Sequence, residues 1–276
     1  MDSLMRLSAI AFPLATFEAR TWVLQVQALV RNAVDNGAEV VVFPEYVAGG
    51  LLREDLAWES AGALWRQTMV AAAQEYQVWV MGGTHLERHA DGWVNRALVI
   101  APDGTVQHQD KLHPTPWEVR WQVAPTHQIH VFQIDGAACA LPICYDIEFP
   151  EAIRAAAKAG AEVLLLPSWT EDEAGFHRVR GCARARCVEN VLAVVHAPLV
   201  GRHLEAPGFE QAVGTAAILT PCDHGWPPAG VAAEGGWSSP GVVTADLDLD
   251  RLRAARTSGS VTPFADARAE AAYLIR

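Results

Sequence analysis

Apolar positions along the chain fall into short blocks that alternate between two periods. Leu7 to Phe12 is a compact apolar run that predicts a strand. Arg20 to Asn36 then carries apolar residues at helical spacing and closes on Asn36-Gly37. Ala38 to Phe43 is β-branched and stops at Pro44, which predicts a buried strand, and a helix is expected over Ala57 to Tyr76. Val78–Gly83, Trp93–Ala101 and Thr105–Gln109 read as strands, the last two joined by the turn at Pro102-Asp103-Gly104. The second half repeats the alternation. Strands are expected at Gln128–Ile134 and Ala137–Ile143 around the hairpin signal Asp135-Gly136, followed by a helix from Pro150 to Lys158. A buried strand at Ala161–Leu166, a helix over Gly175–Asn190 and a strand at Val191–His196 come next. Thr215–Leu219 and Val242–Leu247 predict two more strands. Between them, from Pro221 to Pro240, lies a loop with several Gly, Pro and Trp residues that reads as a functional or interfacial excursion.

Strands alternating with helices imply an α/β fold on a largely parallel or mixed sheet. No Pro/Ser linker, charge block or internal repeat divides the chain, so residues 1–276 are expected to form one domain, with the residues after Leu247 as a C-terminal extension that either trades with a partner subunit or forms a surface helix. Composition narrows the partners. The 276 residues are 51% apolar and 19% charged, a globular balance, and the formal net charge is −11. Such a chain repels phosphate, so neither nucleic acid nor an anionic membrane is an expected partner. No apolar run reaches the ~20 residues needed to cross a bilayer. The opening MDSLMRLSAIAFP has one Arg, an apolar stretch cut short by Pro13 and no small-residue cleavage site, so it does not read as a secretory signal. Five cysteines are too few for a disulfide scaffold, and a cytoplasmic location is expected.

Candidate chemistry sits where polar residues follow buried strands, because a rigid sheet fixes a side chain there and the loop exposes it. Glu45 directly follows Val40–Phe43 and Pro44; a partly desolvated carboxylate at that point has the raised pKa of a proton shuttle, although one loop glutamate taken alone is more often inert. Lys111, in Gln109-Asp110-Lys111-Leu112-His113, would be a compact fixed cation for an oxyanion or a thiolate if it is enclosed. Cys144 ends a strand just before a helix, in an arrangement like a nucleophile elbow, where helix amides and a nearby lysine favour the thiolate. Cys139, Cys182, Cys187 and Cys222 are expected to be buried structural residues, and their spacing does not suit a zinc site, so no metal or cofactor is expected. Arg186 and Asn190 share a helix face with Arg184 and Glu189 nearby, and either brace a loop or form a polar stripe.

A strand ending in F-P-E, then D-K-L-H, C-Y-D-x-x-F-P-E, L-L-x-P-S-W and R-x-x-E-N, in that order, resembles the nitrilase superfamily of carbon–nitrogen hydrolases over roughly Met5 to Leu247. The resemblance implies a four-layer α-β-β-α sandwich, a Glu45–Lys111–Cys144 triad and association as a homodimer. It also implies a second glutamate after the lysine, a place that Glu118 fills. The chain departs from the family pattern at Glu148, where the C-Y-D-x-R-F-P-E form has Arg. The expected reaction is hydrolysis of a small amide or N-carbamoyl compound through a Cys144 thioester, with the Tyr145 backbone N–H at the oxyanion. Trp117, Trp169 and His177 are candidates for the pocket lining. Alternatives are nitrile hydrolysis or acyl transfer by the same triad, a Cys–His dyad using His113 or His177, and a catalytically idle binding protein on this fold.

Overall fold

A computed structural model describes residues 4–52, 58–90, 92–203 and 210–267. Strand β1 (Leu4–Leu14) is the hub. It runs parallel to β2 (Val40–Val42) on one side and antiparallel to β12 (Gly241–Asp248) on the other, and its end at Phe12–Leu14 lies parallel to the end of β9 (Ala193–Gly201). From β2 the sheet continues through β3 (Trp79–His89), β4 (Gly92–Ile100) and β5 (Val106–Asp110). From β9 it continues through β8 (Val163–Ser168), β7 (Ala137–Ala140) and β6 (Val131–Ile134). The short strands β10 (Ala217–Leu219) and β11 (Val231–Glu234) extend the β9 edge.

The period of two along a strand decides which core each residue joins. Leu7, Ala9, Val40 and Val42 pack into a core shared with β6–β9, whereas Ile10, Phe12 and Val41 pack into another with α1 (Ala19–Asp35) and α2 (Trp58–Tyr76). Helices α4 (Pro150–Lys158) and α5 (Glu173–Asn190) bury Ile153, Ala156, Val179 and Ala183 against the second half-sheet. The result is helix, sheet, sheet, helix. Val40, Val41 and Val42 are fully buried, and at about 1.5–3 kcal/mol per buried valine this three-residue strand couples both cores.

Most expected elements occur as their expected type, with four differences of substance. The stretch between Pro221 and Pro240 holds strand β11, and the short helix α3 (Pro116–Arg120) was not anticipated, whereas the described residues after Leu247 include helices α6 (Leu249–Ser258) and α7 (Pro263–Asp266), in line with the surface-helix reading of that extension. The strand expected over Ala137–Ile143 stops at Ala140, two residues before Pro142, which has no N–H for a ladder. Val191 is a left-handed helix cap with φ 48° rather than the first strand residue. Cys222, expected to be buried, is exposed. Ala57, the expected start of the second helix, lies outside the described residues. Helix α6 docks on its own chain through Arg253, which pairs with Glu162, and Arg256, which donates to the carbonyls of Ala161 and Val191. Among the described residues no helix is long and apolar enough to cross a membrane. The loops leaving β2, β5, β7 and β8 come together over one end of the stacked sheets and carry the candidate site.

Candidate active site

Each candidate side chain is held by a specific local device. Glu45 follows β2 on a turn fastened to β3: the Thr84 N–H donates to the Pro44 carbonyl (3.2 Å), and the Tyr46 N–H donates to Thr84 Oγ1 (3.0 Å). Gly83 makes this approach possible. It has φ +68°, and a Cβ there would lie 2.1 Å from the Pro44 oxygen. Lys111 leaves β5 with its N–H bonded to the Asn95 carbonyl (2.9 Å). Glu118 lies on α3, whose Thr115 forms a capping box with it; the Thr115 N–H donates to Glu118 Oε2 at 2.7 Å.

Cys144 opens a 3-10 turn (Cys144–Glu148) and has φ +47°, a left-handed backbone that costs a β-carbon residue about 1–3 kcal/mol. Asp146 holds that turn. Its buried carboxylate accepts from the N–H groups of Ile143 (3.0 Å), Leu112 (3.2 Å) and His113 (2.8 Å), tying the Cys144 turn to the lysine loop. Arg186 braces the turn from α5, donating to the carbonyls of Ile147 (3.0 Å) and Glu148 (3.2 Å), and Asn190 donates to the Arg186 carbonyl (3.2 Å). Of the two readings for this pair, loop bracing is the one the contacts support.

The parts converge at the floor of a cleft of about 620 Å³. Lys111 Nζ lies 2.7 Å from Glu45 Oε1 and 2.7 Å from Glu118 Oε2, and all three side chains are 1% exposed. Glu118 also accepts from Tyr46 Oη (2.6 Å) and Asn95 Nδ2 (2.7 Å), and Asn95 Nδ2 reaches Glu45 Oε1 at 2.9 Å. The backbone of Trp169, just past β8, holds Glu45 and Cys144 together. Its N–H donates to Glu45 Oε2 (3.0 Å) and its carbonyl accepts from the Cys144 thiol (3.3 Å).

Burial and charge sort the protons. Desolvation raises Glu45, and Glu118 adds to this while Lys111 opposes it, so Glu45 stands above the usual carboxylate range. Burial pushes Glu118 up too, but Lys111 and the hydrogen bonds from Lys111, Tyr46 and Thr115 outweigh it and hold it ionised. Lys111 keeps its proton: burial pulls it down, and Glu118 and Glu45 together more than compensate. The Cys144 thiol is pushed well above its ordinary value, first by burial and next by the Glu45 charge. This corrects the expectation of a stabilised thiolate. The helix amides invoked for it begin only at Pro150, and a five-residue 3-10 turn carries little dipole.

Tyr46, Trp117 and Trp169 form an edge-to-face aromatic wall with ring centroids 5.5–5.9 Å apart, and Tyr145 lines the same cleft. His177 does not. It is exposed on the other face of α5, 6.3 Å from Trp237 and stacked on it, where it lines a separate groove with Phe176 and Arg180. His113 stacks on Phe149 and bonds to Asp146, so neither histidine reaches the floor, which leaves the Cys–His dyad without a partner for Cys144. Sequence reasoning missed Tyr46, Asn95 and Asp146 as parts of this assembly. Asn95 had a readable signal, a polar residue inside the apolar run of β4. Among the described residues no group of three or more His, Cys, Asp or Glu side chains suits a metal.

The family model for carbon–nitrogen hydrolases matches residues 7–257. The chain is 34% identical to a probable hydrolase, YhcX, of Bacillus subtilis over 88% of its own length, and spans about half the length (50%) of that relative. It is 29% identical to the deaminated glutathione amidase of Synechocystis sp., covering 84% of this chain and 88% of that one. An amidase from Nesterenkonia sp. AN1 superposes with a TM-score of 0.78 at 22% identity, over 97% of this chain and 98% of that one, a likeness of fold.

Proposed function

The chain belongs to the carbon–nitrogen hydrolase family, and on that premise we propose that it hydrolyses the C–N bond of a small amide through a thioester on Cys144. The observation that carries this reading is the buried contact of Lys111 with two carboxylates beside a neutral thiol at the floor of one cleft.

Amides resist water because resonance stiffens the C–N bond and an amine leaves poorly; a sulfur nucleophile divides the barrier in two. As Cys144 Sγ bonds to the carbonyl carbon, its proton passes to Glu45, whose raised affinity suits the transfer. Negative charge collects on the former carbonyl oxygen, and Lys111 Nζ and the Tyr145 N–H stabilise it. Lys111 points two donors at carboxylates and has a third for the oxyanion. Glu45 then gives the proton to the departing nitrogen, the C–N bond breaks, and the amine or ammonia leaves a thioester. Water loses a proton to Glu45 as its oxygen attacks the thioester carbon. The sulfur leaves, recovers that proton and frees the acid. Glu118 stays ionised throughout and fixes Lys111.

The homodimer, the cytoplasmic location and a single domain through residue 276 belong to this reading as well; light scattering of the purified protein checks the first. Its chemical core is checked with a panel of small aliphatic amides, reading released ammonia. Turnover that disappears in Cys144→Ala supports it. Undiminished turnover in that variant, or nitriles cleaved while amides are not, contradicts it.

A further inference from the structure

The wall above the catalytic floor carries its own charges, and they bear on which amides enter. Arg120 and Arg178 are the cations lining it, and Glu148, Glu171 and Asp172 are the anions. Arg178, on α5, is committed: its Nε lies 2.9 Å from Glu148 Oε1, with Glu148 15% exposed and Arg178 59% exposed. Glu148 is rigid at its root. It ends the Cys144 turn, and its carbonyl is held by the buried Arg186. The anion is therefore rooted four residues from the nucleophile and mostly buried, while Arg178 reaches it from a largely exposed side chain. Asp172 is fixed too, as the cap of α5, accepting from the Gly175 N–H at 2.7 Å. The remaining cation, Arg120, stands on an exposed helix end.

Resting on the amide-hydrolysis reading, we infer that Glu148 sets the charge of the substrate: the cleft takes amides whose far end is neutral or cationic and rejects those ending in a carboxylate. A carboxylate placed against this wall meets an anion held close to the nucleophile and a cation whose charge Glu148 already partly offsets through the Nε contact, so it gains less than a neutral or cationic end does.

Three amides of one chain length and three charges test this: butyramide, succinamate and 3-aminopropanamide. In the wild type, kcat/KM for butyramide and 3-aminopropanamide exceeds that for succinamate by about tenfold or more. Glu148→Gln frees Arg178 and raises the succinamate-to-butyramide ratio by about tenfold. Arg178→Met frees Glu148 and moves the same ratio down, with 3-aminopropanamide gaining on butyramide. A role in folding alone would not move the ratio in opposite directions. A second readout needs no turnover: the alkylation rates of Cys144 by neutral iodoacetamide and anionic iodoacetate, compared by peptide mass mapping with their ratio on a free thiol. The wild type favours iodoacetamide beyond the free-thiol ratio, and Glu148→Gln narrows the gap. If no amide is cleaved but the alkylation ratios behave so, amide hydrolysis fails and the charge filter stands. A wild type that prefers succinamate, or variants that leave both ratios unmoved, overturns the charge filter.

Discussion

The cleft holds two clusters of opposite charges, and they differ in almost everything except their chemistry. At the floor, one lysine sits between two carboxylates with every member 1% exposed. On the wall, one arginine meets one carboxylate with the arginine 59% exposed. In the dry cluster each charge depends on the others, because a lone buried ion costs several kcal/mol, and the pull between desolvation and attraction separates the two glutamates into one with a raised proton affinity and one with a lowered one. In the wet pair, water screens the attraction and little stability is at stake, so the residues are free to serve selection. On the proposed reading, burial suits the floor cluster to moving protons and exposure suits the wall pair to reading charge.

The comparison breaks most visibly at Lys111. Lys111→Met strands two buried carboxylates and removes the oxyanion donor. We expect turnover to fall about 10²–10³-fold and unfolding stability to drop by about 3–5 kcal/mol, read by ammonia release and urea denaturation. An active, stable Lys111→Met variant would show that the floor is not coupled as described. Next in size is Asp146→Ala, which orphans three backbone N–H groups and loosens the Cys144 turn. A stability loss of about 3 kcal/mol with a parallel fall in kcat is expected, and an unchanged urea midpoint would contradict it.

The pH profile sharpens the same contrast. Turnover needs Glu45 ionised, and its proton affinity is raised, so kcat/KM falls on acidification at a pH above the ordinary carboxylate range. Because the Glu118 charge contributes to that rise, Glu118→Gln moves the acid limb to lower pH; a shift to higher pH would reverse the assigned coupling. For stability the sign at Glu118 is the usual one for a depressed acid. Its contribution is full above the unfolded value and disappears as pH falls through the folded one. The smallest effect belongs to the wall: Arg178→Met is expected to cost less than about 1 kcal/mol of stability, and a loss as large as that of Lys111→Met would erase the distinction between the clusters.

The architecture was readable where the period was unambiguous. Runs such as Val40–Val42 and Val163–Leu166 are buried on both faces, and only a strand between two packed layers explains them. Helix α3 was not legible, because five residues hold too little periodicity to register and its start rests on a capping box involving Glu118. The floor of the site was legible residue by residue only through the order of motifs, since Glu45, Lys111 and Cys144 are far apart in the chain and the sheet alone brings them together. His177 was misplaced although the helical period held the answer. Gly175, Arg178 and Val179 share the face of α5 that lines the cleft, and Phe176, His177 and Arg180 share the other. The state of the Cys144 thiol was misread because proximity to a lysine and a helix is visible in sequence, whereas complete desolvation is not.

Rapid quench of the wild-type protein with a slowly hydrolysed amide, followed by intact-protein and peptide mass spectrometry, tests the central claim most directly. The account predicts a mass increase equal to the acyl group, located on the peptide carrying Cys144 and absent from Glu45→Gln. An acyl group on another residue, or steady turnover with no acylated Cys144 at any quench time, would contradict it.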